Sequence, residues 1–223
     1  MEKFSTIFHR AANRHGGEEA LEAKVREGLA DHAPKKMSDD RWLSEFTKRI
    51  FQSGFNWKVV ENKWAGFEEA FWKFDVDRCA RIELDDLERL TSDKAIVRNP
   101  VKIKAVPINA QMIQAMAAEK GSADAFIRDW PSSDFQGLLD FVNKNGKMLG
   151  MNTTCYALRF SGVPSYILSK DVTAALIHAG VIDKPATSKS AKKSVQDAFN
   201  QWATESGENI SYISRILALS IDG

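Results

Sequence analysis

Cysteine occurs only at positions 79 and 155, too few for a disulfide framework or a four-cysteine zinc site. No apolar run approaches the ~20 residues needed to span a bilayer. Neither charge sign is in excess: Lys+Arg 31 against Asp+Glu 30 leave a formal net charge of +1, which excludes a disordered polyelectrolyte and a strongly basic nucleic-acid coat. Sustained polar/apolar alternation is also missing, with the short Tyr166-Ile167-Leu168 as the one candidate strand. The N-terminal stretch MEKFSTIFHRAANRHGG carries charges where a secretory signal needs an apolar run, so a mature cytoplasmic protein is expected.

What remains has the balance of a globular chain, 43% hydrophobic and 27% charged over 223 residues, enough for one functional domain of two lobes. Apolar residues recur at helical spacing: Phe4, Ile7, Phe8 and Ala11; Trp42, Phe46 and Ile50; Leu84, Leu87 and Leu90; Ile210, Ile213, Ile216 and Leu217. Helix-start signals stand at Ser38, Asn56 and the Ser132-Ser133-Asp134 run, with breakers such as Pro34, Gly54, Gly121, Gly146 and Gly207 between helices. The pattern predicts an all-α fold. Residues 1–36 read as an N-terminal helical extension and 37–223 as the main two-lobed unit, with a polar, Lys-rich connector over 183–194.

Charge is uneven along the chain. Residues 94–104 carry Lys94, Arg98, Lys102 and Lys104 without an acid, and residues 144–170 carry Lys144, Lys147, Arg159 and Lys170, also without one. Such stretches either track phosphates or form solvated helix faces. Within the second stretch, Gly146 and Gly150 bracket a turn, and Asn152, Thr153 and Thr154 open the following helix. Unpaired N–H groups and the positive dipole end then point the same way and suit a phosphate, with Lys147 as a mobile charge. A plain αα-hairpin with a polar cap is the alternative. A second window runs from Lys48 to Phe74, where Gly54 breaks a helix, Asn56 caps the next and Trp57 stands at its start. An indole there offers a π face to a base or a cation, or else it packs in the core. Trp64, Phe67, Phe71 and Trp72 are assigned to the core.

The runs QSGFNW, EEAFWKFDVDRCA and IVRNPVKIKAVPINA, followed by TTCYALRFSG and SRILALS, resemble the 3-methyladenine DNA glycosylase I family over residues 40–180. The resemblance implies a two-lobed, all-helical bundle of the helix-hairpin-helix DNA glycosylase type, with its hairpin turn at 146–152. It implies a monofunctional base-excision repair hydrolase that releases alkylated purines such as 3-methyladenine from double-stranded DNA. No cofactor and no membrane are expected, and the protein is expected to act as a monomer. Trp57 matches the family's base-stacking residue, with Gln52 and Phe55 in the pocket segment before it. Gly150, Thr153 and Thr154 match the start of the hairpin's second helix, which holds a DNA phosphate in such folds; with Lys147 and Asn152 from the reading of the turn they form the expected backbone-binding set. Arg98 and Lys102 match a cationic motif that contacts the backbone or supports the fold.

Three departures stand beside these matches. The family's pocket carboxylate, eight residues before the tryptophan, falls on Arg49, which the resemblance places in the base-binding segment. Glu45, one helical turn earlier on the same face, either neutralises Arg49 or replaces the missing carboxylate as a catalytic group. The family's zinc ligands have no counterpart, so no metal is expected. The catalytic Asp of other helix-hairpin-helix glycosylases falls nearest Ser169; Asp171, two residues on, is the catalytic candidate, with the alternative that it favours a helix N-terminus there. A DNA-damage binding protein that has lost the chemistry is the second functional reading.

Overall fold

Helices follow one another from the fourth residue onward in the computed structural model, which describes residues 1–32 and 35–222; Pro34 lies outside these. Among the described residues there are fifteen α-helices and no strand. They are α1 Phe4–Arg14, α2 Glu18–Leu29, α3 Asp39–Gln52, α4 Trp57–Asn62, α5 Trp64–Ala70, α6 Val76–Ala80, α7 Leu84–Ser92 and α8 Pro100–Ile103. There follow α9 Ala105–Lys120, α10 Ala123–Arg128, α11 Phe135–Asn145, α12 Met151–Phe160, α13 Lys170–His178, α14 Lys189–Ser206 and α15 Ile210–Leu219. The all-α expectation holds. No helix among the described residues is long and apolar enough to cross a membrane.

The chain divides into two units. The first comprises residues 1–34, 131–137 and 158–223; the second comprises 35–130 and 138–157.

In the first unit, α15 packs against α1, α2, α13 and α14, burying Ile210, Ile213, Ile216 and Leu217 at the spacing seen in the sequence. The Tyr166-Ile167-Leu168 segment is extended but forms no strand. Its backbone pairs with serine hydroxyls of α15 instead of a neighbouring strand: Ser165 N donates to Ser211 Oγ at 2.8 Å and Ile167 N to Ser214 Oγ at 3.2 Å. Serines three apart on a helix face match alternate N–H groups of an extended chain, and the buried donors are satisfied. The connector over 183–194 is shorter than expected, because Ser188 caps α14 by accepting from Ala191 N at 3.2 Å, and the Lys-rich stretch is already helix.

In the second unit, α3 and α9 form the core, with α6 and α10 packed on α9. Asp39 and Asp40 in the first turn of α3 suit its dipole, and Trp42, Leu43, Phe46 and Ile50 are buried along it. Phe67, Phe71 and Phe74 are fully buried and stack nearly parallel with Trp64, rings 5.0–6.2 Å apart in the sequence Trp64–Phe67–Phe71–Phe74. Closing that stack requires a tight reversal: Trp72, Lys73 and Phe74 are all left-handed, with φ of 52°, 56° and 60°. Arg41 holds the reversal by donating to Lys73 O and to both carboxylate oxygens of Glu68. Of the four aromatics assigned to the core, Phe67 and Phe71 lie wholly inside, whereas Trp64 and Trp72 are half-buried. Trp72 lies beneath the guanidinium groups of Arg78 and Arg89, at 3.9 and 4.9 Å, because an indole edge at the surface is a good seat for cations.

Candidate nucleic-acid and base-binding site

Lys102 explains why the chain turns where it does before Trp57. Its ammonium donates to Phe51 O at 3.2 Å and to Ser53 O at 2.7 Å, capping the C-terminus of α3, where the dipole favours a cation. Burial holds its pKa below the usual lysine value. Beyond this cap Gly54 takes the left-handed conformation at φ 67°, Phe55 is exposed, and Asn56 starts α4 by accepting from Lys58 N at 3.0 Å. The turn therefore places Trp57 at the first position of α4, with 39% of its surface exposed.

Around that indole the structure assembles Arg49, Glu45, Gln52 and Tyr156. The Arg49 guanidinium lies over the ring, 5.7 Å from its centre, and the Tyr156 ring meets it edge-on at 5.7 Å. Arg49 is buried at 8% exposure; its Nε donates to Glu45 Oε1 at 2.5 Å and its Nη1 to Gln52 Oε1 at 2.7 Å. Of the two roles open to Glu45, the geometry is that of the neutralising partner, since its carboxylate is drawn onto the guanidinium by a short charge-assisted bond. Gln52 is likewise buried and passes the network on, its Nε2 donating to Glu61 Oε1 at 3.4 Å.

The hairpin turn between α11 and α12 is built on Asn109 of α9. Asn109 is fully buried; its Oδ1 accepts from Lys147 N at 2.7 Å and its Nδ2 donates to Lys147 O at 3.2 Å. One side chain thus replaces both hydrogen bonds that a strand neighbour would supply to that peptide. Gly146 is required by close approach, because a Cβ there would lie 2.8 Å from Val142 O and 3.1 Å from Asn109 Oδ1. Gly150 has open space where a Cβ would go, and the left-handed residue of the turn is Met148, at φ 60°. The first helical bond of α12 runs from Thr154 N to Gly150 O at 3.0 Å, so the N–H groups of residues 151–153 precede the hydrogen-bonded ladder.

Of the residues expected to grip a phosphate, Lys147 and Asn152 are exposed, while Gly150 and Thr153 are partly so. Thr154 is fully buried, and its hydroxyl donates to Leu149 O at 3.0 Å; it braces the turn from inside and leaves the phosphate-contacting set. The two basic stretches are trimmed in the same way. Lys102 caps α3, and Arg159 in the first unit is buried and donates to Ser165 O, so neither is a surface cation. Asp171 stands apart from the Trp57 cluster in chain assignment: it belongs to the first unit, in the first turn of α13, where Ser169 Oγ caps by accepting from Val172 N at 3.2 Å. A carboxylate in that turn suits the helix dipole.

Three residues of these sites have no role assigned from the sequence: Asn109, Tyr156 and Glu61. Asn109 and Tyr156 lie within the runs IVRNPVKIKAVPINA and TTCYALRFSG, and Glu61 is marked only by its spacing of four from Trp57. Among the described residues no group of three or more His, Cys, Asp or Glu could hold a metal ion. Cys79 and Cys155 are both buried and unbridged.

This geometry has known counterparts. A sequence profile of the methyladenine glycosylase family matches residues 33–145, which hold the Trp57 cluster, Lys102 and Asn109. The DNA-3-methyladenine glycosylase 1 of Escherichia coli (strain K12) is 35% identical over 60 residues, 27% of this chain and 32% of that protein, so the match spans about a third of that relative's length. A crystal structure of 3-methyladenine DNA glycosylase I superposes with a TM-score of 0.51 at 24% identity, covering 62% of this chain and 86% of that one. A variant of 3-methyladenine DNA glycosylase I bound to 3-methyladenine gives the same TM-score and coverage at 20% identity. At such identities the superpositions establish a shared all-helical fold, and with the profile covering half of the sequence, the chain belongs to the methyladenine glycosylase family.

Proposed function

We propose that the protein is a monofunctional DNA N-glycosylase that releases N-alkylated purines such as 3-methyladenine from duplex DNA, acting as a monomer. The observation that carries this reading is Trp57: an indole with over a third of its surface exposed, held edge-on by Tyr156 at the mouth of a capped turn, inside the family-matched segment. Aromatic side chains that remain half in solvent yet fixed by neighbours suit a flipped base, because stacking costs them little further ordering.

Alkylation at N3 leaves adenine cationic and a good leaving group, so the protein needs little general acid help. Its tasks are to bind phosphates, extrude the nucleotide, stack the base and favour an oxocarbenium-like sugar beside an attacking water. Lys147 and the N–H groups of residues 151–153 supply the phosphate contacts, in the manner of helix N-termini that seat anions. The Arg49 charge, which would repel such a base, is offset by Glu45. Asp171 is proposed as the group that orients the water.

A second reading, a DNA-damage binding protein without turnover, is favoured by one observation: the cation of Arg49 lies directly over the Trp57 ring. Incubating the protein with methylated duplex DNA and resolving the released bases by chromatography separates the two. Free 3-methyladenine without strand cleavage supports the enzyme. Tight retention of alkylated duplex without release supports the binder, and neither outcome overturns both.

A further inference from the structure

Beside Trp57 stands a second carboxylate that the mechanism above leaves without a role. Glu61 follows Trp57 by four residues on α4, so the two side chains share a helix face with Cβ atoms about 5–6 Å apart. It is exposed, its Oε1 accepts from Gln52 Nε2 at 3.4 Å, and among the described residues its Oε2 accepts no hydrogen bond and no cation pairs with it. Glu45 differs on each count: its side chain is 17% exposed and is bound to Arg49 at 2.5 Å.

The network gives this difference a direction. Arg49 takes the carbonyl end of Gln52, which turns the amide NH2 end towards Glu61 and fixes that carboxylate without neutralising it. This hydrogen-bonded network joins one cation, Arg49, to Glu45 directly and to Glu61 through Gln52. Glu45 forms the ion pair with Arg49, and Glu61 is the carboxylate of the network that meets no cation among the described residues. A cationic ring laid on Trp57 gains from that charge, whereas a neutral ring of the same shape does not.

We propose that Glu61 is a specificity-determining residue of this face, selecting an alkylated, positively charged purine over its neutral parent. The proposal rests on the reading of Trp57 as the base platform. The test titrates the full-length protein by calorimetry with two probes, the permanent cation 3,9-dimethyladeninium and neutral 9-methyladenine. Wild type is expected to bind the cation at least ten-fold more tightly. Glu61→Gln keeps an acceptor for Gln52 and removes only the charge; the preference should drop below two-fold with 9-methyladenine affinity unchanged. If Glu61→Gln retains the ten-fold preference, or if wild type binds both probes equally, the assignment of Glu61 is overturned while the platform stands. If wild type binds neither probe, the platform reading falls and this assignment with it.

Discussion

The guanidinium of Arg49 sits 5.7 Å from the centre of the Trp57 ring, so the charge state of one helix face is written directly onto the proposed base platform. That placement is stable only because Glu45, one turn earlier on α3, meets the buried cation at 2.5 Å. Removing Glu45 takes the carboxylate partner from a guanidinium that is 8% exposed. Glu45→Ala is expected to cost about 3–5 kcal/mol, the range for removing one partner of a buried pair. The double variant Glu45→Ala with Arg49→Met should recover most of that loss, and urea unfolding of the wild type and the two variants measures both.

Asn109 and Lys147 provide a separate test of the hairpin. Asn109→Ala removes the partner of two part-buried backbone groups of Lys147, with an expected loss of about 1–3 kcal/mol. Duplex DNA affinity should fall with it, because the turn that presents α12 loosens. Lys147→Ala, on an exposed side chain, should change stability by less than about 0.5 kcal/mol and reduce the salt slope of DNA binding by about 1. Denaturation and salt-dependent fluorescence anisotropy read the two effects independently.

Alkaline pH should weaken the fold, and the buried thiol of Cys79 contributes to the loss from pH 9 upwards. Burial pushes its thiol from 9.0 up to about 12, so above pH 9 the folded chain keeps a proton that the unfolded chain releases. The stabilisation is complete below pH 9 and is lost as pH rises towards 12, at up to about 1.4 kcal/mol per pH unit. Tyr212, raised by burial and by its hydrogen bond to Glu22, acts in the same direction. Lys102, lowered by burial, acts oppositely, adding stability as pH rises through its folded pKa towards 10.5. Cys79→Ala should therefore flatten the fall in urea midpoint between pH 9 and 11, although the variant starts from a lower value at pH 8.

Helices are legible in this sequence because apolar residues recur at helical spacing and polar residues mark starts: Asn56 accepts from Lys58 N, and Ser38 stands immediately before α3 although its side chain makes no capping bond. The short Tyr166-Ile167-Leu168 segment, the one candidate strand in an all-α reading, illustrates the limit. Local alternation reports an extended backbone, but whether a strand or two serines of α15 satisfies it depends on residues 45 or more positions away. The hairpin shows the same. Gly146 and Gly150 are equal signals in the sequence, yet only Gly146 is needed, because the folded turn brings Val142 O to 2.8 Å and the Leu149 side chain to 2.9 Å of where its Cβ would lie. Trp57, Arg49 and Glu45 were legible through motif and spacing. Asn109, Tyr156 and the inward turn of Thr154 were not, since burial of a single polar side chain is a tertiary property.

The central claim is that an alkylated purine stacks on Trp57, and the direct measurement is single-turnover release of 3-methyladenine from methylated duplex DNA by wild type and Trp57→Ala. Because the ring is 39% exposed, the variant should unfold within about 1 kcal/mol of wild type. Its base release is expected to fall at least a hundred-fold, with binding to undamaged duplex unchanged. Release at the wild-type rate by a folded Trp57→Ala protein would contradict the account.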